Sequence, residues 1–171
     1  SDSFCVLSNS KILRFSKRSI RCSGAKPGTV LITEDAWLDA LFGEELQTRE
    51  DYVSCSRRIK AALQPHIAAL LRAGVAVVLD FPANTPGQRR WFKEIVETTG
   101  VAHTLHFLDV SDAVCLARLR QRNSTGDHPF TVTDDMFHEF TSYFTAPSAE
   151  EGFTVRRSES RNRSTARTMA P

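Results

Sequence analysis

The sequence predicts an α/β fold of three layers, a parallel sheet with helices on both faces. Three observations carry that expectation. Short apolar or β-branched runs alternate with longer stretches of helical period, the pattern of repeated βαβ units. The run VAVVL is apolar without alternation, as a strand covered on both faces should be. Gly43, Gly74 and Gly100 stand where helix patterns stop, a position that suits a helix C-terminus.

The elements follow in order. Phe4–Leu7 reads as a first strand, and Thr29–Thr33 (TVLIT) as a second, β-branched one. A helix pattern from Asp35 to Phe42 comes next. Glu50–Ala73 reads as a long amphipathic helix, with Val53, Ile59, Ala62, Leu63, Ile67, Leu70 and Leu71 on its apolar side. Pro65 inside it predicts a kink or a division, because an interior proline costs roughly 3 kcal/mol. Val75–Leu79 is a strand, and Pro86–Thr99 a helix with proline in its first turn. Ala102–Leu108 is another strand. Ser111 and Thr133 are N-cap candidates for helices over Asp112–Asn123 and Asp134–Phe144. Phe153–Val155 closes the pattern, and the basic tail 156–171 lacks apolar periodicity and is expected to be disordered.

Composition bounds the function classes. The chain has 171 residues, enough for one domain with a real core, and is 41% hydrophobic and 25% charged, a soluble globular profile. Its apolar runs fall short of the ~20 residues a membrane helix needs. The N-terminus lacks the pattern of a secretory signal. Cys5, Cys22, Cys55 and Cys115 lie far apart without CxxC or a companion His spacing, which favours reduced thiols over disulfides or zinc. A cytoplasmic protein is the expectation. Net charge is +2, but residues 1–26 hold six Lys or Arg against one acid and 156–171 five Arg against one, so the body carries −7. An acidic body with basic ends argues against a nucleic-acid face built into the fold.

Several residues can carry chemistry. Asp80 ends the apolar strand of GVAVVLDFPANTPGQRRW, at the edge where parallel sheets bind ligands. A carboxylate there suits a magnesium–nucleotide site; the plainer reading is an Asp that opens a loop. Asp35, in LITEDAWL, is placed to take a proton from a substrate hydroxyl, or to cap a helix with Glu34 beside it near the dipole. Arg118 and Arg122 share one helix face in RLRQRN while Arg120 points elsewhere, and paired guanidinium groups suit phosphate clamping. His103 and His106 fall on opposite faces of a strand, which excludes joint metal ligation, and His128 is a candidate substrate contact. Phe137, Phe140, Tyr143 and Phe144 read as core.

The segments PGTVLITEDAWLDALFGEEL, DYVSCSRRIKAAL, LLRAGVAVVLDFPANTPGQRRWF, HTLHFLDVSDAVCLARLRQRN, HPF and EGFTV, in this order, resemble one family. It is that of small bacterial P-loop kinase-like proteins, often labelled AAA-type ATPases and similar to zeta toxins, chloramphenicol phosphotransferase and gluconate-kinase-like enzymes. The resemblance implies a P-loop NTPase-like fold, ATP and Mg2+ as cofactors, and phosphoryl transfer to a small hydroxyl-bearing substrate. It implies Asp80 at the magnesium site, Asp35 as the carboxylate that positions or activates the acceptor hydroxyl, and Arg118 and Arg122 as phosphate-gripping lid arginines. Arg89 and Arg90 fall where such proteins reach their substrate.

The phosphate loop G-x-x-x-x-G-K-[ST] should precede all of these. No glycine stands before Gly24 and no Gly-Lys pair occurs. Lys17 and Ser19, in SKILRFSKRSI, are nearest to the required places and are the nucleotide-binding candidates of that segment. The sequence thus divides into residues 1–26, where the loop is expected, a kinase-like domain over 27–155, and the tail 156–171. The competing expectation is a non-catalytic member with a degenerate loop, acting as a binding or interaction module.

Overall fold

The computed structural model of the chain describes residues 4–9, 27–125 and 132–159. Lys17, Ser19, Cys22 and His128 lie outside them. Among the described residues five strands form one sheet: β1 (Phe4–Asn9), β2 (Val30–Thr33), β3 (Val77–Asp80), β4 (His103–Asp109) and β5 (Val155–Glu159). Their order is β2-β3-β1-β4-β5 and every pairing is parallel. The helices are α1 (Glu34–Phe42), α2 (Arg49–Arg72), α3 (Pro86–Thr99), α4 (Asp112–Thr125) and α5 (Asp134–Ser142), with a 3-10 turn at Ala149–Glu151. The α/β architecture with a parallel sheet is the one the alternating pattern predicts. No described helix is long and apolar enough to cross a membrane.

The strand period of two and the parallel register put Val6, Leu79, Ile32 and Leu105 in one row on one face. Cys55, Ile59, Leu63, Ile67 and Leu71 of α2 and Phe92, Ile95 and Val96 of α3 pack against that face. Each such side chain contributes about 1.5–3 kcal/mol when fully removed from water. The spacing of four along α2 continues on both sides of Pro65, and α2 runs as one helix rather than dividing there. Pro65 is exposed, so the carbonyl it leaves without an N–H can turn to water. A second cluster joins Val110, Cys115 and Leu119 to Val132 and Phe137, with Leu108 of β4 against it. Gly43 follows α1 as expected but stays right-handed (φ −51°), and glycine suits the place because a Cβ there would meet the Asp39 carbonyl oxygen at 2.7 Å.

The last strand differs from expectation. It runs over Val155–Glu159, pairing with β4, so Arg156–Glu159 belong to the sheet and not to a tail. These residues are polar because the strand is an edge. Arg157 pairs with Asp109 at 2.6 Å, and its guanidinium lies 5.3 Å from the centre of the Phe107 ring.

Arg89 also departs from its expected substrate-facing place. Its side chain is fully buried. Nε and Nη2 donate to the two Glu151 carboxylate oxygens at 2.6 and 2.8 Å, and Nη1 donates to the carbonyls of Ala83 at 2.8 Å and Thr145 at 2.9 Å. The Thr145 N–H donates to the Asn84 carbonyl at 2.9 Å. One buried cation therefore ties together the β3–α3 loop, the segment after α5 and the 3-10 turn. Arg90 is exposed.

Arg89→Ala should cost about 3–5 kcal/mol in urea unfolding, because it strands a carboxylate and two carbonyls; a cost below about 1 kcal/mol would contradict the clamp. The Arg89 hydrogen bonds hold the Glu151 carboxyl below its usual range against partial desolvation. A carboxyl depressed on folding adds stability above its unfolded-state pKa and loses it as pH falls through the folded-state value. The melting temperature should therefore drop on acidification, with a shallower acid limb in Arg89→Met. Phe92→Ala in the core should cost about 3–5 kcal/mol, against about 0.5 kcal/mol or less for the exposed Leu41→Ala, both read by urea unfolding.

Candidate functional site

β1 is hydrogen-bonded to β3 on one side and β4 on the other. The chain passes from β1 to β2 on one side and from β3 to β4 on the other, so the crossovers diverge between β1 and β3, and ligands of such sheets bind outside the carboxyl edge at that point. Asp80, the last residue of β3 and half-buried, is level with Thr33 of β2 and Leu7 of β1, and Leu7 is level with His106. Thr33 ends β2, and Glu34 and Asp35 open α1 directly after it. The fold thus brings the two sequence-predicted acids, Asp35 and Asp80, to the carboxyl rim of adjacent strands.

Asp35 is not the helix cap. The cap position is Thr33, which is extended (φ −111°) and makes no side-chain cap hydrogen bond. Glu34 and Asp35 occupy the first turn, where the helix dipole favours carboxylates. Asp35 is half-buried.

Glu34, which the sequence pairs with Asp35 at the strand end and near the helix dipole, is fully buried. The Tyr52 hydroxyl donates to Oε2 at 2.8 Å, the Ser56 hydroxyl donates to Oε1 at 2.6 Å, and Lys60 Nζ lies 3.6 Å from Oε1. Burial first, and the Glu34 charge second, push the Tyr52 hydroxyl well above its ordinary range, which keeps it a donor. The available signal was the i, i+4, i+8 spacing of Tyr52, Ser56 and Lys60, one line along α2 beside its apolar stripe.

Arg118, Arg120 and Arg122 lie on α4, which leaves the same rim after β4. Arg118 is exposed, and the Nε and Nη2 of Arg122 are buried. Measured along the helix from Asp112, the two stand about 9 and 15 Å from its start. Arg120 faces away from them, as expected, and pairs with Asp134, its Nε donating to Oδ2 at 3.1 Å to join α4 to α5. Thr133 caps α5 by accepting from the Met136 N–H at 3.3 Å. α5 is tied in turn to the start of α2 through Arg49 and Glu139 at 3.5 Å.

His103 stacks edge-on against Phe153 at 5.7 Å and His106 is buried. Phe137 is core and Phe144 stacks on Phe107 at 6.0 Å, whereas Tyr143, read as core, is exposed beside Arg49. Two further rim groups escaped the sequence. Asn84 Oδ1 and Thr141 Oγ1 are buried without a hydrogen-bond partner; their segments are joined by the Thr145–Asn84 hydrogen bond. Buried polar atoms are ordinarily satisfied, so these mark places for water or a ligand. Among the described residues no group of three or more His, Cys, Asp or Glu could hold a metal ion. A single rim carboxylate instead fits magnesium, which keeps several waters and takes one or two carboxylates plus substrate phosphates.

Comparison with known proteins agrees with this fold. Residues 18–147 match the family described as AAA domain. No curated protein matches the chain. A Chloroflexus aurantiacus J-10-fl protein assigned as a kinase superimposes with a TM-score of 0.68 at 14% identity, covering 91% of this chain and 86% of its own. A sugar kinase from Janibacter sp. HTCC2649 gives 0.56 at 15% identity, with 91% and 83% covered. A gluconokinase from Sinorhizobium meliloti 1021 gives 0.58 at 18% identity, with 94% and 83% covered. At these identities the likeness is one of fold. The family match spans most of the chain, the sheet is the parallel one those structures share, and the chain belongs to the AAA-domain family with a P-loop kinase-like fold.

Proposed function

We propose that this chain carries out ATP-dependent phosphoryl transfer to a small hydroxyl-bearing molecule. The β2–β3 register, which sets Thr33 level with Asp80 and so brings Asp35 to the same rim, is the observation that carries the reading. Asp80 would hold the nucleotide's magnesium directly or through water. The ion, when bound, offsets charge on the phosphates. Asp35 would take the proton from the acceptor hydroxyl as its oxygen attacks the terminal phosphorus, which requires about 2.6–3.2 Å between carboxylate and hydroxyl. Arg118 and Arg122 would gather the charge of the transferring group, and Lys17 and Ser19 would contribute from the segment after β1. Asn84 Oδ1 and Thr141 Oγ1 suit a hydroxyl-rich acceptor, since each lacks a partner a hydroxyl could supply.

A second reading has its own support. The segment after β1 lacks the glycines that let backbone N–H groups approach phosphate, and the family match starts only at Arg18. A chain with this fold and no nucleotide affinity would be a binding module.

Calorimetry with magnesium–ATP separates the two. The proposal expects micromolar binding that is lost in Asp80→Ala; absence of binding at millimolar ATP would leave the fold without the kinase. Asp35→Asn should keep ATP binding yet lower phosphate release by about 100-fold or more. Arg118→Ala with Arg122→Ala should lower it at least as far, about 1,000-fold.

A further inference from the structure

Glu34 and Asp35 are adjacent carboxylates at the end of β2, and the fold separates them. Glu34 turns inward and is fully buried, while Asp35 stays half-buried at the rim. Burying a carboxylate is costly, and replacing a buried ionic cluster by apolar groups is often neutral or stabilising. A cluster kept at that cost is better explained by the geometry it imposes than by stability.

Three α2 residues surround the Glu34 carboxylate, with Tyr52 on Oε2 and both Ser56 and Lys60 on Oε1. They sit four residues apart, on a helix fixed independently by Cys55, Ile59 and Leu63 in the core. The backbone before Glu34 is fixed as well, since Thr33 is paired with Asp80. The peptide joining Glu34 to Asp35 is therefore held on one side by the sheet and from below by α2.

We infer that Glu34 is a positioning residue: its buried anchorage to Tyr52, Ser56 and Lys60 fixes the first turn of α1 and thereby the direction in which Asp35 faces the acceptor. This rests on the acceptor-side role proposed above for Asp35. Glu34 itself is sealed from substrate and acts only through its neighbour. Glu34→Gln keeps the shape but removes the charge that Lys60 pairs with, and its amide NH2 on the Tyr52 side forces that hydroxyl to turn from donor to acceptor. Tyr52→Phe removes a single donor with less risk to folding.

The test is a double-mutant cycle on phosphate release from magnesium–ATP with water as acceptor, using the wild type, Glu34→Gln, Asp35→Asn and the double variant. Glu34→Gln should lower kcat about tenfold or more with KM for ATP within about twofold, and the loss should vanish in the Asp35→Asn background. Tyr52→Phe should act in the same direction and less. An equal loss in both backgrounds, no loss, or a change confined to KM would overturn the inference while leaving the Asp35 assignment standing. If Asp35→Asn alone turns over at the wild-type rate, the acceptor role fails and the inference falls with it. A second readout needs no turnover: amides of Leu38 to Leu41, bonded to carbonyls of the first turn, should exchange about tenfold faster in Glu34→Gln with α3 amides unchanged. Unchanged exchange in α1 would overturn the inference by itself.

Discussion

β3 is hydrogen-bonded on both sides, to β2 and to β1, and this double parallel pairing sets Asp80 between Thr33 and Leu7. Most of the rest follows from it. A parallel pair cannot be joined by a tight turn, so the chain must return through crossovers, and α2 and α3 fill that need over the apolar face. Because β2 and β3 are in step, Thr33 and Asp80 end them together. The carboxyl rim therefore collects Asp80, the start of α1 and the loop that begins α3.

Two buried charges shape that rim, and both hold irregular backbone. Arg89 fixes the β3–α3 loop against the segment after α5, and Glu34 fixes the β2–α1 junction against α2. Each has a set of short hydrogen bonds that offsets the loss of water, as buried charge requires. The surface pairs Arg49–Glu139 and Arg58–Glu45, at 3.5 and 3.8 Å with exposed side chains, are of a different kind and contribute little. The rim is thus rigid where the proposed chemistry needs position.

What was legible in the sequence was what depends on local period and punctuation. VAVVL and TVLIT gave strands because their apolar content has no helical period, and Gly100 closed α3 in the left-handed conformation expected of it (φ 67°). Asp80 and Asp35 were legible as rim residues because strand ends follow from strand positions. Arg89 was not, since its partner Glu151 lies 62 residues away and nothing near either residue advertises the pair. Tyr52, Ser56 and Lys60 were masked by the stronger apolar stripe beside them on α2. The length of β5 was hidden because an edge strand needs no apolar alternation, and Arg157 gains its place from Phe107 and Asp109 rather than from its own neighbours.

If the proposed function is right, the rim between Asp35 and Asp80 receives the phosphates of a nucleotide. A crystal structure with magnesium and a non-hydrolysable ATP analogue tests it most directly. The ion should lie beside Asp80, directly or through one water, with the terminal phosphate between it and Asp35. A nucleotide bound on another surface, or none at saturating concentration, would contradict it.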